Sequence, residues 1–341
     1  MKFVEDAVSK RYSSDDFNYF FDKRNGFTAL WGRTKEEDPV FAPFPVILDF
    51  EITTKCNGVG NNGPCKFCYK SNTDKGEYTP FEIAKQIIDK MPRVLTQIAF
   101  GLDAKCESNP DWFDIFQYAR KSGFIPNVTV ADISEETAQK LASVCGAVAC
   151  SRYENKNYCY DSIEKLTRNG LKQVNIHILL SKETEGWVYE TINDAKTDPR
   201  LKGLNAIVFL SLKKKGRGQG FHSLDKADFK KIIDYALENE ISFGFDSCSA
   251  NKFLESVKDS PKFEQFKQCS EPCESSIQSS YINVKGEYFP CSFTEGTVGW
   301  KEGINILTCE DFIEDVWNHP KTRLFREHLL MNGRNCPIFN V

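Results

Sequence analysis

Three cysteines fall on one short stretch, Cys56-Asn-Gly-Val-Gly-Asn-Asn-Gly-Pro-Cys65-Lys-Phe-Cys68-Tyr69. Thiolates spaced so closely are metal ligands by type. Without a second nearby pair of Cys or His they suit an iron–sulfur cluster better than structural zinc, which takes four protein ligands. A [4Fe–4S] cluster held by three cysteines keeps one iron open for a small molecule, so the stretch reads as a site for chemistry. A zinc site is one alternative. Three thiols without a joint role is another, since cysteine is common in cores and the chain has 13. The Asn, Gly and Pro around them offer little core for a thiol to be buried in.

The elements that must position this stretch surround it in the chain. The apolar, β-branched run from Val46 to Thr53 has the length of a buried strand, and the segment after it can only be a loop. The cysteines therefore sit at the C-terminal end of a strand, where active sites form in α/β barrels. Strand-like runs recur at 96–103, 126–130, 147–151, 174–180, 206–212 and 242–246. Between them lie helix-like segments, the first opening at Thr79-Pro-Phe-Glu82 with the residues of a capped start. About seven strand-then-helix units between 46 and 256 predict a parallel sheet with right-handed crossovers, a partial (β/α)6-type barrel with one more strand.

Residues 1–45 are polar and aromatic and end in a Pro-rich run. They read as a short strand or hairpin cap on the barrel, too short to bury a core of their own, with closure over a substrate as the other possibility. After about residue 257 the character changes again. Ser279–Val284, Lys285-Gly286 and Glu287–Phe293 form a hairpin signal, and Cys309–Trp317 and Lys321–Leu330 are amphipathic helical stretches. Residues 257–341 thus read as a separate cysteine-bearing module of hairpin plus helices.

Composition sets outer bounds. The 341 residues are 40% apolar and 27% charged, ordinary globular usage. A net charge of −4 argues against a protein that grips a long stretch of nucleic acid. No signal-like segment and no run of the roughly 20 apolar residues of a membrane span is present. An odd number of cysteines without an export signal reads as thiols and metal ligands of a reducing cytoplasm.

The cysteine stretch resembles that of the radical S-adenosylmethionine (SAM) superfamily, C-x3-C-x-aromatic-C on the loop after the first barrel strand. Phe67 fills the aromatic slot, while eight residues replace three between Cys56 and Cys65. The Gly- and Asn-rich insertion can bulge outward without parting the sulfurs. The resemblance implies a [4Fe–4S] cluster on Cys56, Cys65 and Cys68, with SAM on its open iron. Gly101-Leu102-Asp103-Ala104 stands where the family has a Gly-Gly-Glu-Pro-like turn that holds the SAM amino group, and Asp103 would pair with that ammonium. Ser151 and Arg152 stand where members hold the ribose and carboxylate of SAM. His177, opposite in facing to Ile176 and Ile178, would touch cofactor or substrate if its face is the lumen. His177 and Asp103 are thus the candidate catalytic groups. Arg217, in Lys213-Lys-Lys-Gly-Arg-Gly-Gln-Gly220, would reach a phosphate or carboxylate.

The tail resembles the SPASM or shorter twitch module, C-x(9–15)-G-x4-C: twelve residues separate Cys273 from Gly286 and four separate Gly286 from Cys291. Cys336 is placed for a further ligand. The choice for a fourth falls between Cys269 and Cys248, and Cys248 at the barrel rim is preferred. One auxiliary site is implied, holding a [4Fe–4S] cluster or zinc. The other cysteines read as packing residues.

The resemblance implies reductive cleavage of SAM to a 5′-deoxyadenosyl radical, a reductant such as flavodoxin or ferredoxin, and hydrogen abstraction from a small-molecule substrate. The compact size is similar to that of radical SAM lyases of modified nucleosides, which points to queuosine or its 5′-phosphate with release of queuine. A peptide or protein maturase is the alternative, and a non-catalytic iron–sulfur electron carrier a third reading.

Overall fold

The computed structural model describes residues 1–60 and 63–339; Asn61 and Asn62, part of the insertion in the cysteine loop, lie outside the described residues. The chain opens with an antiparallel meander of β1 (Lys2–Glu5), β2 (Ser9–Ser13), β3 (Asn18–Asp22) and β4 (Thr28–Trp31). It is more than the expected hairpin. Tyr12, Phe17, Tyr19, Phe21 and Phe44 build a buried aromatic cluster that also takes in Val46 and Ile125 of the main sheet. The meander is tied to the segment before the second parallel strand. Lys10 Nζ donates to the carbonyls of Arg93 (2.9 Å) and Leu95 (2.6 Å), and Tyr19 Oη donates to that of Val94 (2.7 Å). This is the N-terminal end of the barrel strands, so the meander does not close over the cysteine loop.

Seven parallel strands follow: β5 (Ile47–Glu51), β6 (Gln97–Gly101), β7 (Ile125–Val130), β8 (Ala147–Ser151), β9 (Gln173–Leu180), β10 (Ala206–Ser211) and β11 (Phe243–Phe245). They alternate with α1 (Phe81–Asp89), α2 (Trp112–Lys121), α3 (Glu135–Val144), α4 (Lys156–Arg168), α5 (Glu185–Thr197) and α6 (Lys226–Glu238), and α7 (Ala250–Ser256) and α8 (Phe263–Gln268) come after β11. In β9 the even positions Val174, Ile176, Ile178 and Leu180 are buried toward the helices. The odd positions Asn175 and His177 turn to the inner face. Each buried aliphatic stabilises the layer by about 1.5–3 kcal/mol, so register is strongly specified.

Some helix starts follow local chemistry and others do not. Ser134 accepts from the backbone of Thr137 and Asp225 from that of Asp228. At α1 the expected cap is not made. Thr79 Oγ1 donates instead to the Val284 carbonyl (2.8 Å), and Asp111 accepts from Phe81 N (3.0 Å).

The tail is not the separate unit its composition suggests. β12 (Ser279–Ile282) pairs parallel with β5, then antiparallel with β13 (Glu287–Phe289), which pairs with β14 (Ile304–Asn305). All four residues of β12 are buried, because a strand joined to β5 is covered on both faces. The result is one ten-stranded sheet in the order β11-β10-β9-β8-β7-β6-β5-β12-β13-β14. Gly286, at φ +77°, makes the β12–β13 turn. The stretch expected as one helix at 309–317 is instead two helical turns, Ile306–Thr308 and Ile313–Trp317, before α9 (Pro320–Met331). No helix among the described residues is long and apolar enough to cross a membrane.

Candidate functional site

The cysteine loop leaves β5 at its C-terminal end and is pinned where it leaves and returns. Thr53 bridges to Tyr78 and Lys55 to Thr73, and Cys56 N donates to the Thr73 carbonyl (2.8 Å). Gly58 lies against the Gly63 carbonyl so tightly that a Cβ would stand 1.8 Å from it. The insertion is thus folded back on itself, and Cys56 is kept near the other two. The charges of Cys56 and Cys68 both act on Cys65, whose thiol is raised by burial. All three cysteines are half-buried.

A second loop clamps the first. Arg217 Nε donates to the Cys65 carbonyl (2.7 Å), one terminal nitrogen to the Asn72 carbonyl (3.0 Å), and its backbone N–H to the Cys68 carbonyl (3.0 Å). Gly216, at φ +54°, passes so close that a Cβ would meet the carbonyls of Tyr69 (2.4 Å) and Cys68 (2.7 Å). The guanidinium expected to reach a phosphate is therefore turned onto the cysteine loop. Its neighbour Lys215 donates to the Glu295 carbonyl (2.6 Å), tying the same loop to the tail.

Phe67 stacks on Tyr153 with ring centroids 5.3 Å apart and meets Phe221 edge-on at 5.7 Å. The Tyr153 side chain lies beside the Cys65 thiol, and the charges of all three cysteines act on it. Tyr153 went unnoticed in the sequence because nothing local distinguishes it. Only the fold brings the end of β8 over the cysteine loop.

The remaining expected residues fare differently. Asp103 Oδ1 accepts from Glu107 N (3.1 Å), Ser108 N (3.0 Å) and Ser108 Oγ (2.7 Å), and Oδ2 from Lys105 N (3.1 Å). Its carboxylate organises its own loop rather than waiting for an ammonium. Gly101 is required by the neighbouring strand, since a Cβ there would lie 3.0 Å from Glu51 Cα; Leu102 packs on the core. Ser151 is half-buried and lies in register with His177 across the β8–β9 pair. Arg152 is withdrawn from the mouth. Its side chain is wholly buried and paired with Glu190 of α5 at 2.6 Å, so it steadies α5 instead of meeting a ligand. His177 faces the inner side, half-buried, with Nδ1 3.5 Å from Thr129 Oγ1. Burial pushes its imidazole down to about 4, against a small opposing pull from Asp246.

Four further cysteines gather beside β10. Cys291 and Cys336 both act on Cys273, Cys273 and Cys291 on Cys248, and Cys336 on Cys291. Burial raises the thiols of Cys248, Cys291 and Cys273, the last to about 11. The Cys273 thiol donates to Ser275 Oγ (3.5 Å), and Ser275 also lies beside Cys291. Lys213, buried and paired with Asp246, lies beside Cys248 and Cys336, and despite its burial the carboxylate holds its ammonium above the ordinary value. Cys269 is exposed. Among the described residues no three His, Cys, Asp or Glu side chains converge tightly enough to share a single metal ion.

The two thiol groups touch through aromatic neighbours. Tyr69, next to Cys68, packs on Phe293 at 4.4 Å and lies beside Ser292, next to Cys291. Lys70 Nζ then donates to Tyr281 Oη (2.7 Å) and pairs with Glu51 (3.1 Å) and Glu295, joining cysteine loop, barrel and tail in one polar cluster.

No family sequence model and no curated protein matches the chain in sequence. Solved structures do match. SuiB of Streptococcus suis, solved bound to the precursor peptide SuiA, is 13% identical, with 93% of this chain and 90% of that one covered at a TM-score of 0.68. HydG, a maturase of the [FeFe]-hydrogenase, is 15% identical over 72% of this chain and 58% of that one at 0.46. BtrN in complex with AdoMet and 2-DOIA is 13% identical over 85% and 88% at 0.43. These are radical SAM enzymes. The chain has the radical SAM fold. Enzymes with this fold use a [4Fe–4S] cluster and SAM.

The residues fit such groups. In both places the donors are thiolates, as clusters require.

Proposed function

We propose that this chain is a radical SAM enzyme that acts on a peptide or protein. The observation that carries the first part is the trio Cys56, Cys65 and Cys68 on one pinned loop at the C-terminal mouth of the parallel sheet. When bound there, a reduced [4Fe–4S] cluster with SAM supplies a 5′-deoxyadenosyl radical that takes hydrogen from the substrate.

The protein's part is to place and enclose. Cys56, Cys65 and Cys68 would hold the cluster. Arg217 and Gly216 fix the backbone of that loop from above. Phe67, Tyr153 and Phe221 cover it with rings, which keeps water from a reactive centre. The inner face of the sheet offers Asn127, Thr129, Asn175 and His177 between small residues such as Ala99 and Ala149, a polar, roomy surface for cofactor and substrate. Because burial holds His177 neutral near pH 7, its imidazole can both donate and accept a hydrogen bond there. Cys248, Cys273, Cys291 and Cys336 would hold one auxiliary cluster, closed by four thiolates.

Support for a peptide substrate comes from the likeness to SuiB, which extends over nearly the whole of both chains. The nucleoside reading loses its phosphate candidate in return, since Arg217 is committed to the cysteine loop. The test is anaerobic reconstitution with iron and sulfide, reduction with dithionite, addition of SAM, and chromatography of 5′-deoxyadenosine. Formation that requires all three loop cysteines, and that rises with a co-encoded precursor peptide but not with a panel of modified nucleosides, is the expected result. A fully loaded protein that makes no 5′-deoxyadenosine would sink the reading and leave an electron carrier.

A further inference from the structure

The ten-stranded sheet ends at β11, with no strand on its far side. The register with β10 settles which way the backbone of β11 points. Ile207 N donates to the Ser242 carbonyl (3.0 Å) and Asp246 N to the Phe209 carbonyl (3.1 Å). In a parallel ladder this turns the N–H and C=O groups of residues 242, 244 and 246 toward β10, and those of Phe243 and Phe245 away from it. Among the described residues no hydrogen bond reaches these outward groups. Buried backbone groups are nearly always paired; these open onto a cleft instead.

The cleft has a volume of about 540 Å³ and is bounded by all three residues of β11, by Phe253 of α7 and Phe266 of α8, and by residues of the segment 269–274. It begins at Ile241, ahead of the strand, and reaches Ser247, past the C-terminal end of β11 on the side of the mouth. The two faces of the edge differ. Phe243 and Phe245 share the helix side with the buried Ile207 and Phe209. The Phe245 ring lies 4.4 Å from that of Phe253, which lies 5.5 Å from that of Phe266. Gly244 is in register with Val208, and Val208 with His177, on the inner face. A Cβ on Gly244 would meet nothing within 4 Å. A strand laid beside β11 would thus find rings next to every second side chain and open space next to those between. Apart from its shortness, Phe-Gly-Phe carries none of the lysine or proline that ordinarily guards an open edge.

We propose that β11 receives an extended segment of the peptide substrate as an added strand. The segment pairs with the N–H and C=O groups of Phe243 and Phe245 and sets apolar side chains, at alternate positions, against the rings of Phe253 and Phe266. Only an extended backbone presents donors and acceptors at strand spacing, so main-chain pairing gives the affinity and the alternate side chains the selectivity. A segment held along β11 advances by about 3.3 Å per residue toward the mouth, which delivers the residues beyond it to the cysteine loop. The inference rests on the peptide reading for calling the occupant a substrate.

The probe is acetyl-Thr-Leu-Thr-Leu-Thr-Leu-amide, with two controls of the same sequence, one N-methylated on its first two leucines and the other on its last two threonines. Binding is measured by calorimetry on anaerobic, cluster-loaded protein without reductant, so that no turnover occurs. A strand turns alternate N–H groups to opposite edges. One N-methylated peptide is therefore expected to lose at least about tenfold in affinity, and the other to bind as the parent peptide does. At saturation, amide hydrogen exchange over residues 242–246 should slow by at least about tenfold. On the protein side, Phe245→Pro removes an outward N–H that Phe245→Leu keeps, and at matched iron content the proline variant is expected to bind the parent peptide at least about tenfold more weakly. The N-methyl comparison leaves the protein untouched and decides the matter even where a variant is unstable. No binding, equal effects of the two N-methylations, or unchanged exchange at 242–246 overturns the proposal. An edge already protected in the free protein, in proportion to its concentration, overturns it as well and gives the edge to a second copy of the chain. The two readings fail separately: 5′-deoxyadenosine formation that ignores the precursor peptide, with the N-methyl alternation intact, removes the peptide substrate and keeps the edge site, and the reverse outcome removes only the edge site.

Discussion

The two cysteine groups are built in opposite ways. Cys56, Cys65 and Cys68 come from one loop and remain half-buried at the mouth of the sheet. Cys248, Cys273, Cys291 and Cys336 come from four separate places in the chain, and Cys273 is fully buried. A site made by one loop can form whether or not the tail is seated. A site made by four segments can form only when barrel rim, hairpin and C-terminal end have met. Three thiols leave a metal position open for chemistry, whereas four close it. On the proposed function, the contrast gives the reaction to the first group and, to the second, holding the tail on the barrel or carrying electrons.

The sharpest way to break this contrast is to remove one thiol from each group. Cys65→Ser is expected to lower 5′-deoxyadenosine formation by at least about a thousandfold, because the cofactor that supplies the chemistry is lost. The fold is expected to survive, as judged by circular dichroism. Cys273→Ser should do the reverse: it lowers iron content by about one cluster and the melting temperature by several degrees, on the order of 1–3 kcal/mol for a disturbed buried site. SAM cleavage without substrate stays within about tenfold of the parent, since the mouth is untouched. Equal losses of SAM cleavage in the two variants would erase the division of labour.

The next test lies between the groups. Arg217→Ala deletes two charge-assisted hydrogen bonds to the cysteine loop, each worth about 1.5–3 kcal/mol. It is expected to slow SAM cleavage by roughly tenfold to a hundredfold through a looser loop. Arg217→Lys should recover only part, because one ammonium cannot span the carbonyls of Cys65 and Asn72 as the planar guanidinium does. The signature that separates positioning from mere stability is the spectrum of the reduced cluster with SAM, which should broaden in Arg217→Ala at unchanged iron content. An unaltered spectrum and rate would return Arg217 to the role of a free anion binder.

The sequence made the parallel strands legible because each carries an unbroken apolar or alternating run, as β9 does, bounded by turn residues. It made the cysteines legible because ligand chemistry restricts residue type. It left obscure whatever depends on contacts far apart in the chain. Residues 65 and 217 are not neighbours by any periodic rule, and β12 shows no local sign that it will join β5. Asp103 misled for a related reason. An acidic residue at a strand end has the right charge for an ammonium, but the backbone N–H groups of 105–108 are nearer and claim it. Arg152 was withdrawn from the mouth by Glu190, thirty-eight residues along the chain. Local charge says what a side chain can bind; the fold decides which partner arrives first.

The smallest expected effect concerns the inner face, where two titrations oppose one another. Burial pushes Asp49 up from 3.8 to about 6, so between those pH values the folded chain holds a proton that the unfolded chain has lost, and stability falls as pH rises through that window. Burial pushes His177 down from 6.5 to about 4, so between those values the unfolded chain holds the extra proton, and stability rises with pH. The windows overlap from about 4 to 6 and the slopes cancel there. Wild-type stability in urea should therefore be nearly flat over that range from these two groups. Asp49→Asn should uncover the rising limb of His177, and His177→Asn the falling limb of Asp49, each on the order of 1 kcal/mol because water reaches both side chains. Above pH 7 Asp49→Asn is expected to be more stable than the parent, since it removes an uncompensated negative charge, and the gain should vanish below the ordinary carboxylate range. If the two variants show the same slope, the groups do not share an inner face in opposed states, and the polar surface assigned to the substrate would have to be drawn elsewhere.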